Sequence, residues 1–135
     1  MKLVVNTNRI IATLIKDSIS RQILFHIDAE LLTLSFSQGE ITKYKEYVLK
    51  KAGINDAAFD MLLEKIKERL IFVDDTLIRS KMPEAEKIMD TIDTTDTPFI
   101  AAALATKSDI WSDDKHFQQQ KSIQIWQTKD LIKFI

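Results

Sequence analysis

Short apolar runs alternating with helix-periodic segments predict an α/β fold, with a central, mostly parallel sheet of short strands between two helical layers (α/β/α). Two observations carry this. The runs Leu3-Val4-Val5, Leu31-Leu32-Thr33-Leu34, Ile71-Phe72-Val73, Ile110-Trp111 and Ile123-Gln124-Ile125-Trp126 are short and nearly unbroken in apolar character, as strands buried on both faces are. The stretches joining the first four are long enough for helices, and their apolar residues recur three and four apart. With 135 residues, 45% of them hydrophobic, the chain can bury a substantial core as a single domain over 1–135.

Taken in order, the first strand ends at the polar cluster Asn6-Thr7-Asn8, which suits a helix start. Ile10, Ile11, Leu14 and Ile15 then form one stripe. A second helix is expected from Ser18 or Ser20 through Ile27, with Ile23, Leu24 and Ile27 inward. After the second strand, Ser37-Gln38-Gly39-Glu40 opens the longest helical stretch. There Ile41, Tyr44, Val48 and Leu49 share a face, and Lys43, Lys45, Lys50 and Lys51 are left outward. Gly53 is placed to end it. Asn55 or Asp56 can cap the next helix, whose stripe is Phe59, Leu62, Leu63, Ile66 and Leu70. The third strand closes at Asp74-Asp75. Pro83 reads as the start of a helix through Met89. Thr97-Pro98 opens an alanine-rich helix to Ala105, and Thr128 reads as the cap of a terminal helix ending near Ile135.

Composition narrows the chemistry. Cysteine is absent, which removes disulfides, thiolate zinc sites and thiol catalysis. The net charge is -1, so no global positive field marks the chain for nucleic acid, and such a partner has to be argued from a local site. The amino terminus turns polar too soon for a signal peptide, and no apolar run approaches the ~18 residues of a membrane span, so a cytoplasmic location is expected. No Gly-rich phosphate loop is present. Two histidines, His26 and His116, read as a packing residue in a helix and as a surface-turn residue near the acids.

Acids and amides gather where a parallel sheet places its working site, at the carboxyl ends of strands. Asn6 follows the first strand, Asp74 and Asp75 the third, and Asp113 and Asp114 the fourth, while Glu40 and Asp96 stand at helix starts. Carboxylates around one crevice repel unless a cation neutralises them. Mg2+ or Mn2+ binds such oxygens and takes phosphate oxygens as further ligands, which suits metal-assisted phosphodiester hydrolysis. Each acid also has a local explanation. Ser37 with Glu40 spells a capping box, Asp96 can cap the helix at Thr97-Pro98, and Ser112 with its neighbours can cap a turn through Phe117.

Four segments in order resemble the PIN-domain family, the nuclease fold shared by VapC-type toxins. They are Leu3-Val4-Val5-Asn6-Thr7-Asn8, Ser37-Gln38-Gly39-Glu40-Ile41, Asp93-Thr94-Thr95-Asp96-Thr97-Pro98 with its alanine-rich helix, and Ile110-Trp111-Ser112-Asp113-Asp114-Lys115-His116-Phe117. The likeness spans essentially the whole chain, and its specificity lies in the ordered set. A haloacid-dehalogenase phosphatase does not fit, since positions 6 and 8 are both asparagine.

The resemblance implies a PIN-like three-layer fold and a Mg2+- or Mn2+-dependent endoribonuclease. Glu40, Asp96 and Asp114 would be the metal carboxylates, and Asp93 a supporting acid. Asp113 would stand behind the ligands or face solvent. Ser112 would bond a ligand or the position-6 side chain, and Asn8 would fix the loop that carries position 6. RNA is the implied substrate, with homodimerisation and a small antitoxin as the implied partners. One position departs: the family carries aspartate where this chain has Asn6. An amide keeps one oxygen but no charge, and its NH2 cannot coordinate a cation, so weakened hydrolysis is expected. A catalytically dead RNA- or protein-binding module is the competing reading. Asn6 fits either a naturally degenerate member or an introduced exchange, and the three intact motifs favour the second.

Overall fold

A computed structural model describes residues 1–16 and 18–135. The strands are β1 (Lys2–Val5), β2 (Glu30–Leu34), β3 (Leu70–Val73), β4 (Asp109–Trp111) and β5 (Ile125–Trp126). The helices are α1 (Thr7–Ile15), α2 (Ile19–His26), α3 (Ser37–Lys43), α4 (Lys45–Ala52), α5 (Asp56–Glu68), α6 (Asp75–Met89), α7 (Thr97–Thr106), α8 (Lys115–Gln118) and α9 (Thr128–Leu131). The strands form one sheet in the order β3-β2-β1-β4-β5, and every pairing is parallel. This is the PIN-like α/β/α arrangement that the sequence predicts.

Period-two alternation divides the core. Leu3, Val5, Leu31 and Trp111 face a layer containing Ile10, Leu14, Ile23, Leu24 and Ile66 from α1, α2 and α5. Val4, Leu32, Leu34 and Ile110 face the opposite layer, built from α6 and α7. Ala101, Ala102 and Ala103 are fully buried, and their small side chains let α7 lie close to α6. A helix so apolar on every side is an interior helix. The order in which strands are added reverses between β1 and β4, because β2 and β3 extend the sheet one way from β1 and β4 and β5 the other. Loops leaving the carboxyl ends of β1 and β4 therefore diverge, opening a crevice at that switch point. Among the described residues, no helix is long and apolar enough to cross a membrane.

Several expectations need correction. Pro83 lies inside α6 rather than at its start. Asp74 caps α6 by accepting the amide of Thr76 at 2.8 Å, and this start prevails over the preference of proline for a first turn. Asp74 and Asp75 are exposed just past the edge strand β3, at the start of α6, and line neither cleft of the site. The long helix after β2 breaks at Tyr44 into α3 and α4. Gly53 does end α4, in the left-handed conformation at φ 68° that glycine adopts without strain. Leu70 belongs to β3, and β5 begins at Ile125 instead of Ile123.

Ser37 and Glu40 form no capping box, since Phe36 is the N-cap residue and gives no side-chain bond. Gln127, not Thr128, caps α9, through a box with Asp130. Lys45 is drawn inward, 3.2 Å from Asp56 and stacked over Phe59 at 5.3 Å. His26 is exposed in the last turn of α2, not packed.

Candidate metal centre

β1 and β4 hydrogen-bond side by side, and their carboxyl ends deliver Asn6 and the segment 112–114 to neighbouring positions. The Asn6 amide donates to the Trp111 carbonyl at 3.1 Å, joining the two ends directly. Asn6 is buried and caps α1, its Oδ1 accepting the Asn8 amide at 2.9 Å. Asn8 thus braces position 6 through its backbone, while its side chain is exposed.

A buried hydroxyl cluster fixes the next element. Thr7 Oγ1 and Ser37 Oγ lie 2.9 Å apart, and the Thr33 hydroxyl donates to Ser37 Oγ and to the Val5 carbonyl, each at 3.4 Å. This ties the first turn of α3 to the end of β1. Glu40, one turn further along α3, then faces the same cleft as Asn6. That cleft holds about 280 Å³ and is lined by Asn6, Glu40, Asp96, Phe36, Tyr44 and Phe99, among others.

Asp96 enters from the other helical layer. A 3-10 turn, Thr94–Asp96, leads into α7, and Asp96 occupies the N-cap position without making a side-chain cap bond. Its carboxylate is therefore free of the local role that its position suggests. The residue is 8% exposed, and among the described residues its Oδ2 has no hydrogen-bond partner. Burial first, and then the charges of Asp114 and Asp93, push the carboxyl up to about 6, with His116 opposing them. Asp93 behaves oppositely. The Thr95 hydroxyl and amide donate to its Oδ1 at 2.6 and 2.8 Å and hold it below the usual carboxylate range.

Asp114 caps α8, accepting the His116 amide at 2.9 Å. Ser112 is buried, and its Oγ accepts the Asp114 amide at 3.0 Å, so it shapes the turn that presents Asp114. Asp113 serves another end. Its carboxylate meets Arg9 at 2.8 Å and accepts the Thr128 amide and hydroxyl at 2.7 and 2.6 Å, latching the β4 loop to α1 and α9. Removing it in Asp113→Ala should lower stability by about 2 kcal/mol, because a partly buried Arg9 is left without its charge partner. Urea denaturation of both proteins checks this.

The carboxylates are thus distributed around a crevice. Asn6, Glu40 and Asp96 line one cleft. Asp114 lines an adjoining one with Asn8, Arg9, Ser112 and Asp113, and its charge is felt at Asp96. The imidazole of His116 reaches into the acidic group, with Nδ1 2.9 Å from Asp93, 3.4 Å from Asp114 and 3.6 Å from Asp96. Asp93, Asp96 and His116 offer ligand atoms within 4.8 Å of one another, a group able to hold a metal ion. The chemistry fits a divalent cation: oxygen donors in excess of local cations, and one buried carboxylate oxygen without a proton donor.

Residues 4–133 match the PIN-domain family. The chain belongs to the PIN-domain family. PIN domains are generally nucleases, and the site lies where the four ordered segments of this PIN domain meet. A search of curated proteins found no match. Among solved structures, a chain in the crystal structure of VapBC2 from Rickettsia felis, bound to a DNA fragment from the promoter, superposes with a TM-score of 0.70. It is 14% identical, and the match covers 94% of this chain and 98% of that one. At that identity the likeness speaks to fold, which is VapC-like.

Sequence reasoning placed His116 near the acids but read it as a surface-turn residue, because nothing local indicates that α8 folds it onto Asp93. Phe36 and Tyr44, 44% and 42% exposed, form an aromatic rim on the cleft. Helical periodicity instead assigned Tyr44 to the core.

Proposed function

We propose that residues 1–135 act as one cytoplasmic nuclease domain, a divalent-metal-dependent endoribonuclease of the VapC type whose hydrolysis is curtailed by Asn6. The buried, unpartnered Asp96 carboxylate, in the same cleft as Glu40 and Asn6, carries the reading. Capping accounts for Asp93 and Asp114 in part, but no local bond accounts for Asp96.

Glu40, Asp96 and Asp114 would hold Mg2+ or Mn2+, with Asp93 as supporting acid. Bound there, the cation supplies Lewis-acid charge for the phosphate and activates water. The protein's own part is to hold the acids apart on separate elements, to shield Asp96 from solvent, and to offer Phe36 and Tyr44 as faces on which an unpaired base can stack. The charge at position 6 is missing, so the attacking water is less well placed. RNA is the proposed substrate. The VapBC2 neighbour supports a small antitoxin as partner, and a homodimer is the assembly proposed with it.

Cleavage of a structured RNA by the purified chain with Mn2+ tests the reading. Glu40→Gln should lower the rate by about 10–100-fold, and chelation should abolish it. Asn6 favours one competitor, a silent domain that binds RNA or a protein without cutting. Retained RNA binding, with no cleavage even after aspartate is restored at position 6, would establish that reading instead.

A further inference from the structure

The ligand set above consists of oxygens, as the resemblance implies, but the structure adds a nitrogen. Asp114 Oδ1 accepts the His116 backbone amide, and the turn this creates brings the imidazole back against Asp93. Nδ1 is buried and, among the described residues, has no hydrogen bond of proper alignment, although Asp93 Oδ2 is only 2.9 Å away. An imidazolium paired with a carboxylate would aim its N–H at an oxygen. Here two buried polar atoms, His116 Nδ1 and Asp96 Oδ2, stand 3.6 Å apart, each without a hydrogen-bond partner.

A cation between them resolves both. Donors bound at about 2.1 Å to a first-row ion stand about 3.0–3.4 Å from one another across an octahedral or tetrahedral edge. The separations of Nδ1 from Asp93, Asp114 and Asp96, 2.9 to 3.6 Å, bracket that edge. The three carboxylates can neutralise a dication without a charge at position 6.

We propose that His116 is a direct ligand of the cation through Nδ1, sharing it with Asp96 and with Asp93, which thereby becomes a ligand and not only a supporting acid, and that this nitrogen makes the site select Mn2+ or Zn2+ over Mg2+. Imidazole binds transition ions well, whereas Mg2+ keeps to oxygen donors and holds its water. The proposal rests on the metal-dependent reading of the same site and extends it to a ligand and a selectivity. Neutral imidazole requires its proton on Nε2, leaving the Nδ1 lone pair for the ion.

Mn2+ is the probe. Titrating the purified chain while following the electron paramagnetic resonance of free Mn2+ gives affinity, and electron spin-echo modulation of the bound ion reports a coordinated imidazole nitrogen. The unaltered chain should show that coupling, and His26→Gln should keep it. His116→Gln should lose it and bind Mn2+ at least about tenfold more weakly, with Mg2+ affinity nearly unchanged. Tight Mn2+ binding without nitrogen coupling in the unaltered chain overturns the proposal and leaves the metal-dependent nuclease reading intact. The same holds if a folded His116→Gln binds Mn2+ as the unaltered chain does. No binding of Mn2+ or Zn2+ in the unaltered chain, with Asp96→Asn making no difference, overturns both. Because the coupling is read on the unaltered chain, the result does not depend on how any variant folds.

Discussion

Asn6→Asp should raise Mn2+-dependent RNA cleavage by about 10–100-fold and tighten cation binding by a similar factor. The exchange is nearly isosteric. Asn6 uses Oδ1 to accept the Asn8 amide, and an aspartate oxygen can accept it equally. The second oxygen then replaces an NH2 that can only donate. Without metal, the added charge joins a cleft that already holds a buried Asp96. The metal-free variant should therefore melt lower than the unaltered chain near pH 7.5, and saturating Mn2+ should more than recover the loss. Cleavage assays beside melting curves with and without Mn2+ read both effects. Equal cleavage by the two proteins would remove position 6 from the chemistry. Absence of cleavage in both would sink the ribonuclease reading.

The second large effect concerns Asp96. Its carboxyl is raised from 3.8 to about 6, so the folded chain holds that proton more tightly than the unfolded chain does. The resulting stability is fully present below the unfolded value of 3.8. It declines as pH rises and is lost once pH passes the folded value of about 6. A shift of this size corresponds to about 3 kcal/mol between the ends of the window.

Asp96→Asn removes the titration. Without metal, the variant should be more stable than the unaltered chain at pH 7.5 by about 2–3 kcal/mol, and the two should converge near pH 4. Mn2+ should then stabilise the unaltered chain far more than the variant, because the amide keeps one oxygen but lacks the carboxylate charge that attracts the cation. Chemical denaturation across pH, with and without Mn2+, checks both halves. A parallel pH dependence in the two proteins would show that Asp96 is not the strained group.

Local chemistry explains why some of this was readable in advance. β1, β2 and β4 are buried on both faces over most of their length, so their sequences are nearly unbroken in apolar character and stand out. The Gly53 stop is equally local, since a left-handed residue without a side chain ends a helix wherever it occurs. Boundaries failed where two local signals competed. Pro83 suits a first turn, but the Asp74 cap starts α6 two turns earlier, and the helix accommodates the proline. The Ser37 hydroxyl could have capped α3, but Thr7 and Thr33 are close enough in the folded chain to claim it. For the same reason Thr128 left the cap of α9 to Gln127, its amide and hydroxyl being claimed by Asp113 fifteen positions earlier.

The sequence by itself determined the layered α/β class, the PIN-domain membership and the ordered appearance of Asn6, Glu40, Asp96 and Asp114. These follow from apolar periodicity and from short motifs, which are properties of neighbouring residues. Only the tertiary structure decided which acids are held without a local partner. A carboxylate looks the same in sequence whether it caps a helix or waits for a ligand, and the difference is made by donors supplied from elsewhere in the chain. Asp93 receives Thr95 and Asp114 receives the His116 amide, whereas Asp96 is buried by α7 and its surroundings with no donor aligned to Oδ2. His116 is the sharper case. Its approach to three acids depends on the turn before α7 lying against the loop after β4 and on the direction of α8, and long-range packing sets both.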